Sequence, residues 1–368
     1  MMNRMIVSNL VHRPLRSVIS IVAIAVEVSL ILLIVGLSMG ILNDSAQRTL
    51  GVGADLMIMP PGSSWLQGLG GAPAPIGIAD KVAALPHVQA VSPVVAQLNT
   101  AGTLEVIYGI DLASFEKMGG PFRYLSGGPL QGPNDVLVDD YFADLKKVHV
   151  GDRIEIFNQE FRVAGIVLHG KGARKFVPIT TLQDLTGSKN KASIFYVKVE
   201  DPKDIESVKQ AILAIPGMQQ YHVRSMPEYL SLMTVRNTPG LSTFIDIVIG
   251  VAVVIGFIVI FQAMYTAVME RTREIGILKS MGASKLYIVN VILRETILLA
   301  VAGILLGTAA SFLARAGLLA RFPTTRVEIT GDWVLRATLI AITGAILGAI
   351  YPALRAAQKD PIDALAYE

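Results

Sequence analysis

The chain has no cysteine among its 368 residues, which excludes disulfides and thiolate metal sites and is compatible with an oxidising outer compartment. Its histidines, His12, His87, His149, His169 and His222, are scattered and form no spaced metal motif. Aromatic residues make up only 7% and the formal net charge is +3. Without a basic stripe interleaved with aromatics, no nucleic-acid partner is expected. The string Gly-x-x-x-x-Gly-Lys-Ser/Thr, whose backbone amides cradle phosphate, is missing, and Gly119-Gly120 and Gly127-Gly128 lack the following lysine. No nucleophile elbow surrounds Ser63 or Ser64, so the chain is not expected to be an enzyme.

What is abundant is apolar sequence, 52% of the chain, with a mean hydropathy of +0.54. A helix crossing roughly 30 Å of hydrocarbon needs about 20 mostly apolar residues. Four runs meet that need, residues 18–42, 241–268, 286–313 and 334–354. The first is too long for a signal-peptide core and no Ala-x-Ala pattern follows it, so it reads as a retained anchor. Arg4, Arg13 and Arg16 precede the first run, Arg271, Arg273, Lys279 and Lys285 lie between the second and third, and Arg355 and Lys359 follow the fourth. Arg315, Arg321 and Arg326 form a weaker opposing set, offset by Glu328 and Asp332. The positive-inside rule then puts both termini in the cytoplasm.

This topology predicts an interfacial amphipathic helix over residues 1–17, with Met2, Met5, Ile6 and Leu10 at helical spacing. It leaves residues 43–240 outside, enough for a domain with its own core. A cytoplasmic segment follows at 269–285, a short outer loop at 314–333 and a cytoplasmic tail at 355–368. In the outer domain, alternation and turn signals predict strands over 54–59, 88–95, 105–110, 136–138, 153–157, 161–167 and 195–199. Helices are expected over 139–147, 181–185 and 202–215, and a hairpin turning at Asn158-Gln159-Glu160. The domain is therefore mixed α+β. Residues 61–75, rich in Gly and Pro around Trp65, Leu66 and Leu69, read as a loop.

Between the second and third runs lies Glu270-Arg271-Thr272-Arg273-Glu274-Ile275-Gly276-Ile277-Leu278-Lys279-Ser280-Met281-Gly282-Ala283-Ser284. A charged segment there must face water. Its helix formers continue the second run into the cytoplasm, and Gly282 is a stop signal. Arg271, Arg273, Glu274 and Lys279 offer both signs of charge, with Ile275, Ile277 and Leu278 for apolar contact; an ordinary positively anchored loop is the alternative.

Ionisable groups inside spans are costly unless paired or wetted. Glu27 has no Lys or Arg within a turn of it, and reads either as a helix-interface hydrogen bond or as a polar patch seen by cargo. Asp246 lies nearer the outer end of the second span. Arg294 and Glu295 can pair across helices or snorkel. Gly303, Gly307, Ala310, Gly344 and Gly348 are spaced for close helix packing.

The outer segments Asp135-Val136-Leu137-Val138-Asp139, Val150-Gly151-Asp152-Arg153-Ile154 and Phe161-Arg162-Val163-Ala164-Gly165-Ile166 resemble the extracytoplasmic core of MacB/FtsX-type ABC transporter permeases. Glu270 to Ala283 resembles that family's cytoplasmic signature. Tyr351-Pro352-Ala353-Leu354-Arg355-Ala356-Ala357, with Asp360-Pro361-Ile362-Asp363-Ala364-Leu365, resembles its C-terminal end. The resemblance implies a multi-pass protein of the bacterial inner membrane, with four transmembrane helices and an α+β domain between the first two. It implies a dimer of identical or related permeases on two copies of a separate ATPase, which would bind ATP and magnesium, no cofactor being expected in this chain. Glu270, Arg271, Arg273, Glu274, Gly276, Lys279 and Gly282 would then couple to the ATPase. Membrane lipids and a hydrophobic or amphipathic cargo are the other implied partners: lipid, lipoprotein, antibiotic, peptide or haem, the last worth testing because Glu27, or Met39 toward the outer end of the same helix, could approach an iron, although such residues more often serve packing. The alternative within the family is an FtsX-like transmitter that regulates an outer protein without moving a substrate.

Overall fold

The structure is a computed structural model that describes residues 14–63, 72–99, 105–237, 240–321 and 326–359. The reading of residues 1–17 as an interfacial helix falls largely outside them, as does most of the loop over 61–75. The chain divides into two compact units, one built on the long apolar helices and one on the chain between the first two of these.

The first long helix, α1, is Pro14–Leu50, longer at both ends than the apolar run that defines it. Its 37 residues would extend about 55 Å, well beyond a hydrocarbon layer of roughly 30 Å. In the α+β unit the elements run β1 Leu56–Met59, β2 Ala74–Pro75, α2 Ile78–Ala83, β3 Val88–Asn99, β4 Glu105–Ile110 and α3 Leu112–Gly119. They continue as β5 Tyr124–Gly127, β6 Asp135–Asp139, α4 Asp140–Lys146, β7 Arg153–Ile156, β8 Gln159–Val167, β9 Lys175–Pro178 and α5 Ile179–Leu185. The last are β10 Lys191–Ala192, β11 Ile194–Val199, α6 Ile205–Ala214, β12 His222–Ser225 and α7 Met226–Leu232.

One sheet organises this unit in the order β12-β1-β11-β3-β4-β9-β6-β8-β5, with β7 on β8. It is mixed, because β4 pairs with β9 and β6 with β8 in parallel while the neighbouring pairs are antiparallel. Alternation sends successive side chains to opposite faces. Met57, Met59, Tyr108, Phe176 and Tyr196 share a core with Phe115 of α3 and Tyr229 of α7. On alternate positions Leu56, Ile58 and Val197 pack with Val208 and Ile212 of α6, and Ile107, Val138 and Val163 pack with Phe142 of α4 and Leu182 of α5. The helices start on sequence-encoded caps: Asp111 accepts from the Ser114 amide and Asp139 from the Phe142 amide, while Ser225 opens α7 with Glu228 three residues on.

Several local expectations change. The β7–β8 hairpin turns at Phe157 and Asn158, both at positive φ (51° and 60°), and pairs Ile156 with Gln159. The turn therefore comes earlier than Asn158-Gln159-Glu160, because a two-residue loop with both residues left-handed matches the strand twist. The stretch 202–215 divides into a 3-10 turn, Pro202–Asp204, and α6.

The remaining helices are α8 Leu241–Glu270, α9 Thr272–Ser280, α10 Lys285–Arg321 and α11 Gly331–Gln358. Helices α1, α8, α10 and α11 are each long and apolar enough to cross a membrane. Close contact between α1 and α10 depends on Gly307, where an added Cβ would lie 2.5 Å from the Ala25 carbonyl oxygen. Ser29 of α1 donates to the Gly307 carbonyl at 2.8 Å. Gly344 makes no such approach, with nothing within 4 Å of an added Cβ.

Candidate functional site

The charged segment is a separate helix, α9, and not an extension of α8. The chain breaks at Arg271, with φ −106° and ψ 17°, and the Thr272 hydroxyl turns back to the Val268 and Met269 carbonyls at 3.1 and 2.9 Å. The far end closes as a Schellman motif: Gly282 at φ +93° donates to Lys279 O, and Ala283 donates to Leu278 O, both at 3.0 Å. The Ser284 hydroxyl then accepts from the Tyr287 amide at 3.2 Å, starting α10. Stop and restart are both legible in the residues Gly282-Ala283-Ser284.

Helical phase divides the expected coupling residues into two sets. Glu270, Arg273, Glu274, Ile277 and Gly282 are exposed, while Gly276 and Thr272 are buried. Arg271 and Lys279 turn inward, against the expectation that they face a docking groove. Arg271 makes a two-pronged pair with Glu295 of α10, at 2.9 and 3.0 Å. Arg16, at the start of α1, donates to the same Glu295 at 3.3 Å and to Glu270 at 3.4 Å. Lys279 donates to the Ala357 carbonyl at 3.0 Å and to that of Lys359, capping the carbonyl end of α11 where a cation is favoured. Ile275 and Leu278 are half-buried and line a cleft of about 270 Å³ with Met264, Val268, Ile288 and Ile292, a cleft that Glu274 and Ile277 also line. Of the three apolar residues expected to meet a partner, Ile277 alone is exposed, at 44%. Met281 and Leu286, 70% and 81% exposed, extend this surface.

The pairing of Glu295 settles the choice left open for it: it pairs across helices, whereas Arg294 is exposed and bonds Asn290 on its own helix at 3.2 Å. Glu27 is different. It is 7% exposed, packs against Gly256 of α8, and its Oε1 has no hydrogen-bond partner among the described residues. Asp246 is exposed on the surface of α8.

The buried charges of the α+β unit, Asp44, Asp135, Asp139 and Lys175, are paired. Arg174 joins Asp139 and Asp44, both at 3.1 Å, and Asp44 also accepts from Arg48. Burial raises the Asp139 carboxyl to about 6, while Arg174 and the Phe142 amide pull it down. Among the described residues no group of three His, Asp or Glu side chains could hold a metal ion.

The family model described as a MacB-like periplasmic core domain matches residues 17–215, and that described as an FtsX-like permease C-terminal region matches residues 247–361. A macrolide export ATP-binding/permease protein from Bdellovibrio bacteriovorus is 29% identical over 241 residues, covering 61% of this chain and 37% of the relative. One of the same description from Azoarcus is 31% identical over 234 residues, 60% and 35% respectively. An uncharacterised ABC transporter permease of Bacillus subtilis, YknZ, is 28% identical over 225 residues, 59% and 55%. The chain thus spans about a third to a half of the length of these relatives. Among solved structures, the periplasmic region of MacB from Actinobacillus actinomycetemcomitans aligns with a TM-score of 0.39 at 17% identity, over 52% of this chain and 97% of that one.

Proposed function

The chain belongs to the MacB/FtsX-type ABC transporter permeases, and on that premise we propose that it is the subunit coupling ATP hydrolysis in a separate ATPase to extrusion of a hydrophobic or amphipathic cargo. The observation that carries this reading is α9: a short helix between two spans, showing both signs of charge and the apolar side chain of Ile277 to water. Glu270, Arg273, Glu274 and Ile277 form the docking face, Gly282 ends it, and Gly276 is buried on its inner side. ATP and magnesium belong to the partner, since this chain has no phosphate-binding loop. Macrolide export in the names of the relatives favours extrusion over a transmitter that moves no substrate.

The reading places α9 and both termini in the cytoplasm, supported by the arginines and lysines around Arg16, Arg271 and Arg355. It puts the α+β unit outside the inner membrane, and a second, identical or related, permease against the apolar faces of α1 and α8, where Val22, Val26, Val251 and Val254 are exposed. In this reading nucleotide-driven closure of the ATPase tilts the helices and moves the outer units. Asp246, which is exposed, and Glu27, which is buried against Gly256, are the polar groups within the spans proposed for cargo, among lipids.

Reversing one charge at a time tests the docking face. Arg273→Glu and Glu274→Arg are each expected to weaken association with the ATPase about tenfold, or roughly 1.4 kcal/mol, in a pull-down titration at fixed salt. Unchanged association and ATP hydrolysis in both variants would sink the docking role.

A further inference from the structure

Helices α1, α8, α9 and α10 converge on one carboxylate. Glu295 of α10 is 2% exposed; its Oε2 accepts from Arg271 Nη1 at 2.9 Å, and its Oε1 accepts from Arg271 Nη2 at 3.0 Å and from Arg16 Nη2 at 3.3 Å. A planar guanidinium held at both prongs fixes direction as well as distance, which a point-charge lysine would not. Arg271 is also the residue at the break between α8 and α9. The side chain that Glu295 grips therefore belongs to the residue whose backbone dihedrals set the angle between those two helices.

We propose that Glu295 is a positioning residue that sets the angle of α9 to α8 through Arg271, and that Arg16 ties α1 to the same setting. The proposal rests on reading α9 as the ATPase-docking helix and assigns a different duty to its inward side. Lys279 holds the opposite end of α9 to the last carbonyls of α11. With both ends held, a push on the exposed face must either break these contacts or carry α1, α10 and α11 along. Breaking the Glu295 contacts is costly, because removing one partner of a buried pair strands the other charge. The arginine pair thus serves force transfer, and recognition of the partner is left to Arg273, Glu274 and Ile277.

The absence of native cysteine permits a direct test. Gln262→Cys on α8 and Ser280→Cys on α9, both exposed in the parent, would be spin-labelled in the full chain in lipid nanodiscs. Electron–electron distances would be measured for the permease alone and with its ATPase, with and without ATP. The parent is expected to show a narrow distribution that shifts with nucleotide. Glu295→Gln and Arg271→Gln are expected to broaden it about twofold or more and to abolish the shift, with ATPase association changed by less than about threefold. Glu295→Asp, which keeps the charge, should recover most of the narrow distribution. Unchanged width and an intact shift in Glu295→Gln would overturn the proposal. If that variant does not fold, Arg16→Gln, which removes the Arg16 contacts to Glu295 and Glu270 and leaves the two-pronged Arg271 pair in place, decides: an unaltered distribution and shift overturn the proposal, and partial broadening supports it. The permease-alone measurement reads the angle without any ATPase, so failure of the docking face, seen with Arg273→Glu, stays distinguishable from failure of this lock.

Discussion

Glu295 and Glu27 are both buried carboxylates on long apolar helices, 2% and 7% exposed, and cations meet only one of them. Glu295 has Arg271 and Arg16, whereas Glu27 has the backbone of Gly256 against it and an Oε1 with no partner among the described residues. The difference follows from depth. Arg16 marks the level of Glu295, and Glu27 lies eleven residues further along α1, about 16 Å deeper at 1.5 Å per residue. At the helix ends arginine can reach a carboxylate while its stem stays in apolar surroundings; at Glu27's depth no arginine or lysine among the described residues bonds the carboxyl. Asp139 of the α+β unit stands between them, buried but shared with Arg174 and the start of α4.

The sharpest way to break this contrast is Glu295→Ala, which removes both prongs of the Arg271 pair and leaves Arg16 with its contact to Glu270. It is expected to cost about 3–5 kcal/mol, read from the unfolding midpoint of the purified chain in detergent; a loss under about 1 kcal/mol would mean that the pairing is not what holds these helix ends. At the Glu27 position, Gly256→Ala puts a Cβ 2.0 Å from Glu27 Oε2. We expect a cost of about 1–3 kcal/mol, most of it recovered when Glu27→Ala is added, a non-additivity that a double-mutant cycle measures.

For Asp139 the sign is set by its raised carboxyl. Its folded value of about 6 stands above the ordinary 3.8, so between these pH values the folded unit holds a proton that the unfolded chain has released. Stability attributable to this group is therefore greatest at the acid end and falls as pH rises through the window, by about 2 kcal/mol. Asp139→Asn keeps a capping side chain and should flatten that slope, measured by amide hydrogen exchange of β6 at pH 4.5 and 6.5; a slope identical to the parent's would assign the dependence elsewhere. The smallest effect is expected from Glu27→Gln, under about 1 kcal/mol, because no charged partner is left behind. If export of the natural cargo also continues unimpaired, the cargo role of Glu27 is removed.

Much of the fold could be read from residue order because the signals were local. Runs of apolar residues long enough to cross hydrocarbon gave away the four long helices, and turn residues with alternation marked strands such as β4 and β6. Less was legible where pairing is non-local: β9 and β12 are four residues each and owe their strand state to Tyr108 and Met57 across the ladder. The candidate site was half legible. Composition located the charged segment and Gly282 marked its end, but the internal contacts of Arg271 with Glu295 and of Lys279 with the end of α11 were not legible, because they depend on the break at Arg271 and on residues distant in sequence.

By itself the sequence determined that this is a membrane chain with a sizeable α+β unit between its first two spans and a charged segment between its second and third. Burial of long apolar runs and exposure of charge are demands that each segment makes wherever it sits. Only the tertiary structure decided which charges of that segment look outward. Arg273 differs from Arg271 not in chemistry but in what lies opposite, and the group opposite Arg271 is a carboxylate 24 residues away on another helix. Arg271 and Lys279 turn inward because folding brings each a partner that compensates its lost hydration.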